Sequence, residues 1–440
     1  MSEQAKADPA AILDDLQYLV NECGERVAGS PAEKKALRFL VRRYKEMGLD
    51  NPRIEQFEFA HSRIGDFGGE AKVGGRTIPL QTRPCEYAAS TPKGGVEGEL
   101  LFMDSSKRSD YGGEHLKGKI GLFLGAPMPK REYLDAMQNS GLAAAIIVDH
   151  RGTSRWPMSL GFPEMWADRI NMPIFSLSYE QAWQLATEKR QRPVRVKLWC
   201  QTRRIRGKSG NALAELPGSD PALREELIYV SGHVDSVRGS VGANDDGSGT
   251  AFTLAVADAL RRAPLRRTVR FAGYGVEERL SVGSFRHFQN RDQNGMANAV
   301  FGYNADSCGA VMGINKLTFT GPKALGNALE KVCCDTGYVA DVVDGVNPFS
   351  DQFALNMLDV PTVWIYRMTN TSGNWFFHSE HDNLDACDER MVAQSVDFAV
   401  AFLREIDSKD KLPFKVSLPS KTWKEVCEQV KLYHGIELER

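Results

Sequence analysis

The stretch LIYVSGHVDSVRGSVGANDD, Leu227 to Asp246, sets a short apolar run against a cluster of side chains that bind metals. Leu227 to Val230 predicts a buried strand, which delivers His233 and Asp235 and then a glycine-containing turn holding Asp245 and Asp246. A neutral imidazole and carboxylates are the ligands that borderline-hard divalent ions take. An aspartate two residues after a histidine is well placed to hold the second ring nitrogen. The stretch therefore predicts half of a metal site at the carboxyl end of a strand.

Downstream, the same alternation continues. Ser248 to Arg262 predicts a helix with Phe252, Ala255, Val256, Ala259 and Leu260 facing inward, and Val269 to Tyr274, Val300 to Tyr303 and Val360 to Tyr366 predict further strands. Arg390 to Ile406 predicts a covering helix, and Trp423 to Tyr433 another that caps either this core or a partner. Apolar strands between amphipathic helices give an α/β fold with a mixed, mostly parallel sheet flanked by helices on both faces. In such sheets ligands bind beyond the carboxyl ends of the strands. The polar clusters that follow apparent strands are His233 and Asp235, Asp245 and Asp246, Glu277 and Glu278, Asp306, and His378. Paired carboxylates after a buried strand are costly unless a metal or a proton lies between them.

Upstream, Ile12, Leu16, Leu19 and Val20 recur at helical spacing from Pro9 to Cys23. Ser30-Pro31-Ala32-Glu33 is a capping box opening a second helix, with Leu37, Leu40, Val41 and Tyr44 on one face and Gly48 at its end. Arg53 to Phe59 predicts an edge strand. From Phe67 to Val196 the chain becomes glycine-rich, with strands at Gly118–Leu124, Ala143–Val148 and from Asn171, and helices at Arg131–Ser140 and Tyr179–Leu185. The expected division is a catalytic domain from 1–66 and 197–440, with an α+β insertion at 67–196.

At 440 residues the chain is long for a single average domain, and its net charge of -2 gives no electrostatic reason to expect nucleic acid. No apolar run approaches the roughly 20 residues of a membrane helix. The start MSEQAKADPAAILDD lacks the features of a signal peptide, so a cytoplasmic location is expected, with the eight cysteines mostly reduced. No Cys-x-x-Cys spacing occurs, which argues against a thiolate zinc site. The sequence leaves self-association open.

The segments His233-Val234-Asp235-Ser236, Gly242-Ala243-Asn244-Asp245-Asp246-Gly247-Ser248-Gly249, Glu277-Glu278, Asn304-Ala305-Asp306 and His378-Ser379-Glu380-His381-Asp382-Asn383 together resemble the five motifs of the M28 zinc peptidases. These are the co-catalytic aminopeptidases and the glutamate carboxypeptidases; Gly283-Ser284 and Ser350-Asp351 also fit. The insertion is similar to a protease-associated domain in its "GK-I-x-L" strand, its helix and its "G-x-A-A-A-I-I" strand.

The M28 resemblance implies two divalent metal ions, zinc in that family, acting on a peptide substrate. Asp245 would bridge the ions, one also held by His233 and Asp306, the other by Glu278 and His378. Glu277 would be the general base and Asp235 would orient His233. A cis peptide is implied between Asp245 and Asp246. One departure stands out: Phe377 occupies the place where the family often has a tyrosine for the oxyanion, leaving Tyr366 and Tyr303 as candidates by their places near strand ends.

The leading expectation is an aminopeptidase. The alternatives are a carboxypeptidase or dipeptidase, with Arg238, Arg279 or Arg367 for a carboxylate pocket, a one-ion glutaminyl-cyclase-like activity, or a catalytically silent peptide- or protein-binding module on the same fold. Such modules lose ligands, whereas all five positions are filled here. Asp246 reads either as a support of the site or as part of a helix cap. Asp382 reads as support or as bland surface, and His61, His115, His150, His287, His381 and His434 read as non-catalytic.

Overall fold

A computed structural model describes residues 6–103, 113–125, 131–148, 157, 162–369 and 374–439. The chain forms two compact units. The first comprises Met1–Phe59, Lys208–Asn374 and Glu380–Arg440, and the second Ala60–Gly207 with Trp375–Ser379. His150 lies outside the described residues.

In the first unit the strand Leu227–His233 is buried at every position. Its alternate side chains serve two layers: Ile228 and Val230 join one core, Leu227 and Tyr229 another. That two-sided burial explains why the run is continuously apolar rather than alternating. Thr268–Tyr274 and Ala299–Ala305 pair with it in parallel, and Thr362–Met368 pairs in parallel with Ala299–Ala305. Antiparallel partners flank this parallel centre: the 212–216 end of Arg195–Leu216 on one side, and Ile314–Thr320 on the other. Asp341–Asp344 extends the sheet in parallel beyond Ile314–Thr320. The sheet is thus mixed and mostly parallel, as expected, with two strands that short mixed runs of polar and apolar residues had hidden.

Helices Pro9–Gln17, Pro31–Glu46, Gly249–Arg261, Lys323–Thr336 and Glu389–Asp407 cover one face through Leu16, Leu40, Phe252, Leu329 and Val396. The other face is covered by Val282–Gln289, Phe353–Asn356 and Ser420–Tyr433, the last packing Val426 and Val430 with Phe285 and Phe353. The C-terminal helix therefore caps this core. Among the described residues no helix is long and apolar enough to cross a membrane.

The first helix ends sooner than its periodicity suggests, widening into a π-type turn at Tyr18–Cys23 that Gly24 closes with φ 73°. The second is capped as expected: Ser30 Oγ accepts the Glu33 N–H at 3.1 Å. Glu33 reaches back to the Gly29 N–H at 2.6 Å, and its other oxygen accepts from Ser209 Oγ at 2.6 Å. Burial, and then the charge of Asp235, push this glutamate up to about 8.

A buried polar cluster ties strand Asp50–Val73 to the sheet. Glu55 accepts from Asn211 at 2.8 Å and Asn294 at 2.6 Å, and its Oε2 lies 2.8 Å from His287 Nδ1. The Tyr229 hydroxyl, which accepts from Arg270 at 2.7 Å, sits 3.2 Å from His287 Nε2. Burial alone would raise Glu55, but the bonds from His287, Asn211 and Asn294 outweigh it and hold the carboxyl at about 2. A carboxylate depressed in the folded state stabilises above its unfolded value and loses that contribution as pH falls through the folded one. The stability difference between wild type and Glu55→Gln is therefore expected to be about 1.5–3 kcal/mol at pH 7 and to narrow from about pH 4.5 downward. Urea unfolding across pH tests this, and a gap independent of pH would contradict it.

The second unit has its own sheet: Val96–Met103, Ile120–Leu124, Ala144–Val148 and Ile174–Leu177 run parallel, with Thr82–Pro84 antiparallel at one edge. Helices Arg131–Gln138 and Tyr179–Lys189 belong to it, and separate cores fill its two faces.

Candidate metal centre

Strand Leu227–His233 ends on the histidine, whose main-chain N–H donates to Asp246 Oδ2 at 2.9 Å. The other Asp246 oxygen accepts from the N–H of Gly249 at 2.7 Å and of Ser307 at 3.0 Å. Asp246 thus caps helix Gly249–Arg261 and also ties the ends of two neighbouring strands. Both readings of it hold, because one carboxylate accepts several N–H groups. Gly249 leaves room for this knot: a Cβ there would overlap the Ala305 carbonyl and the Asp246 carboxylate. Gly249→Ala is expected to destabilise the fold by about 1–3 kcal/mol, read by urea unfolding.

His233 Nε2 lies 3.1 Å from Asp245 Oδ1, 3.8 Å from Glu277 Oε2 and 3.9 Å from Asp306 Oδ1. His233, Asp245 and Glu278 each present a ligand atom, all within 4.8 Å of one another. His233 Nδ1 faces the main-chain carbonyl of Asp235 at 3.1 Å and the Asp235 carboxylate at 3.7 Å. A proton on Nδ1 satisfies that carbonyl and leaves the Nε2 lone pair turned to the cluster. The Asp235 carboxylate does more than orient the ring: it accepts the N–H groups of Glu277 at 2.8 Å and Glu278 at 3.3 Å.

Asp382 braces the opposite loop. Its carboxylate accepts the N–H groups of Asn244 at 2.7 Å and Asp245 at 3.0 Å, so it aims the bridging candidate through the main chain. The Asp245–Asp246 peptide is cis. Asp306 is held by a chain of bonds: Ser231 Oγ donates to Asn304 at 2.6 Å, Asn304 Nδ2 to Ser350 Oγ at 2.9 Å, and Ser350 Oγ to Asp306 Oδ2 at 2.6 Å. Ser350 belongs to the Ser350-Asp351 motif, and Asn304 and Asp306 to the Asn304-Ala305-Asp306 motif, so the sequence flags three of the four members.

Val276, Leu280, Ser281, Ser307 and His378 all have positive φ, though none is glycine. Such backbone costs about 1–3 kcal/mol per residue and gathers where a site over-determines the chain. Here it surrounds the Glu277–Glu278 turn and follows Asp306.

His378 lies in Trp375–Ser379, which groups with the second unit, and its ring stacks on Phe377 with centroids 3.8 Å apart. The tyrosines considered for the oxyanion point elsewhere. Tyr303 stacks on Phe252 in the core, because its side of strand Ala299–Ala305 faces the helices. Tyr366 stacks on Trp364, with its hydroxyl 3.3 Å from Thr318 on the adjoining strand. His287 and His434 are enclosed in other clusters.

The electrostatics fit a cation. Burial would discharge His233, but Asp246, Glu277, Asp235 and Asp245 outweigh it and hold its proton well above the usual range. Burial raises Glu277 well above a normal glutamate; His233 opposes that, while Asp306, Asp351 and Glu278 add to it. So many enclosed carboxylates around one imidazole are stable only with protons or a cation among them, and the nitrogen and oxygen donors suit zinc-like ions.

Residues 211–403 match the sequence model of peptidase family M28. Over those residues the chain is similar to the M28 peptidases. Aminopeptidase YwaD of Bacillus subtilis (strain 168) is 22% identical over 410 residues, covering 90% of this chain and 85% of that one. Carboxypeptidase Q of Bos taurus is 25% identical over 294 residues, 63% of this chain and 61% of the other, so the match spans about three-fifths of that relative. The solved structure of BSAP, a zinc aminopeptidase from Bacillus subtilis, superposes with a TM-score of 0.73 at 19% identity, over 93% of this chain and 98% of that chain. The matched region contains His233, Asp235, Asp245, Glu277, Glu278, Asp306 and His378, and the first six lie at or after the ends of strands in the parallel centre of the sheet.

Proposed function

We propose that the chain is a two-metal exopeptidase that releases residues from the N-terminus of peptides. The observation that carries this reading is the buried group of His233, Asp245 and Glu278 with Glu277 beside it. Zinc would be held there by His233, Asp245, Glu278 and Asp306, with His378 kept as the further ligand that the M28 resemblance implies and Asp245 as the one it would have the ions share. When bound, the ions supply Lewis acidity at the peptide carbonyl and a water acidified for attack.

Glu277 divides its oxygens between two tasks. Oε1 accepts from Ser281 Oγ at 3.1 Å, which fixes the side chain, while Oε2 faces His233 across 3.8 Å. Oε2 is then the atom that takes the proton of the attacking water and passes it to the leaving amine.

An aminopeptidase needs a carboxylate for the ammonium of a free N-terminus, and buried Asp351 is not assigned to either ion. A carboxypeptidase needs a cation for the terminal carboxylate instead. Arg367 spends its guanidinium on the Ala310 carbonyl at 2.7 Å and Asn315 at 2.9 Å, and buried Arg279 donates to the Glu278 carbonyl at 3.2 Å. The names of the aminopeptidase relatives support the same choice. The carboxypeptidase reading is favoured only by the carboxypeptidase Q relatives. Dipeptides blocked at one end or the other separate the two: the expected result is hydrolysis of the C-blocked series, and hydrolysis of the N-blocked series alone would reverse the assignment. For the second unit we retain the protease-associated reading, supported by the order of its parallel strands and helices.

A further inference from the structure

Arg26 lies outside the M28-matched residues and outside every motif in the sequence, between the π-type turn Tyr18–Cys23 and helix Pro31–Glu46. Its side chain is nevertheless fully buried. Nε donates to the Val234 carbonyl at 2.7 Å, Nη1 to the Val241 carbonyl at 2.5 Å, and Nη2 to the Gly242 carbonyl at 2.8 Å. Its main chain joins the same loop, the N–H donating to Ser236 Oγ at 3.0 Å and the carbonyl accepting from the Ser236 N–H at 3.2 Å. These partners span the whole connection between His233 and Asp245. Val234 lies between His233 and Asp235, and Gly242 opens the turn that holds Asp245. Gly242 is itself constrained, with φ 56° and its carbonyl also accepting the Gly247 N–H at 2.9 Å.

The bonds above from the guanidinium all end on main-chain carbonyls, not on carboxylates. Burying a charge on neutral dipoles is costly, and the planar fork of an arginine suits a task that needs several carbonyls held at fixed separations. A lysine would bring the same charge without the fork.

We propose that Arg26 is a positioning residue of the metal centre, a clamp that sets the separation of His233 from Asp245 and thereby the affinity for divalent ions. The proposal rests on the two-metal reading. Supports that orient metal ligands typically change metal affinity 10- to 100-fold when altered, and Arg26 reaches two ligand-bearing segments at once.

The test is the zinc dissociation constant of the full chain, measured by competition with a chromogenic chelator, for wild type, Arg26→Lys and Ser236→Ala. Arg26→Lys keeps the charge and loses the fork, and is expected to bind zinc at least about 10-fold more weakly. Ser236→Ala removes the bond from the Arg26 N–H and the hydroxyl's own bond to the Ser240 carbonyl at 2.9 Å, and is expected to weaken binding about 3-fold, which keeps the proposal testable if the lysine variant does not fold. A purely structural role would lower the unfolding temperature of the metal-free protein without moving the zinc constant. A folded Arg26→Lys, or failing that a Ser236→Ala, with wild-type zinc affinity would overturn the clamp alone. A wild type that binds no zinc would overturn the two-metal reading and the clamp with it.

Discussion

Glu277→Gln is expected to lower kcat on an amino-acid anilide by about 10²–10⁴-fold, the usual range for loss of a general base, with metal content unchanged. The substitution is nearly isosteric. Glutamine keeps an oxygen for Ser281 Oγ, and the main-chain N–H still donates to Asp235 at 2.8 Å, so the turn around residue 277 should hold its shape. What is lost is the ability of the second oxygen, 3.8 Å from His233 Nε2, to carry a proton. The assigned ligands are His233, Asp245, Glu278, Asp306 and His378, so zinc stoichiometry by elemental analysis should match the wild type. Turnover at the wild-type rate would remove Glu277 from the mechanism. A variant that instead loses metal would make Glu277 a ligand and shift the base elsewhere.

Asp245→Asn should have the larger effect on the ions themselves. Asp245 Oδ1 is the closest carboxylate oxygen to His233 Nε2, at 3.1 Å, and its main chain is pinned by Asp382 at 3.0 Å. Asparagine fits the same space and keeps that N–H bond, so the loop should stay folded while the shared negative charge disappears. Bound zinc is expected to fall from two ions per chain to one or fewer. If Lewis-acid assistance contributes several kcal/mol, activity falls on the order of 10³-fold or more, each 1.36 kcal/mol being tenfold. Elemental analysis after dialysis measures the first effect and anilide hydrolysis the second. Retention of two ions with full activity would show that Asp245 is not the shared ligand.

Much of this site was legible because its parts are local. A strand end followed by two or three polar residues is a short-range pattern, so His233 with Asp235, Asp245 with Asp246, and Glu277 with Glu278 announce themselves. The parallel sheet then brings the ends of Leu227–His233, Thr268–Tyr274 and Ala299–Ala305 to one rim. The oxyanion candidates failed for an equally physical reason. Proximity to a strand end does not say which way a side chain points, and in strand Ala299–Ala305 Tyr303 turns to the helix layer while Asn304 turns to Ser231 and Ser350.

By itself the sequence determined the α/β class, the strand that ends on His233, and the residue types of the metal centre, because each follows from periodicity and chemistry within a few residues. Only the tertiary structure decided how those residues are held. Arg26 bonds to Val234 and Gly242, Asp382 to Asn244 and Asp245, and Ser350 to Asp306, all pairs far apart in the chain. Such bonds leave no local pattern, since an arginine between two helices or an aspartate after a histidine reads as an ordinary polar residue until the fold closes around it.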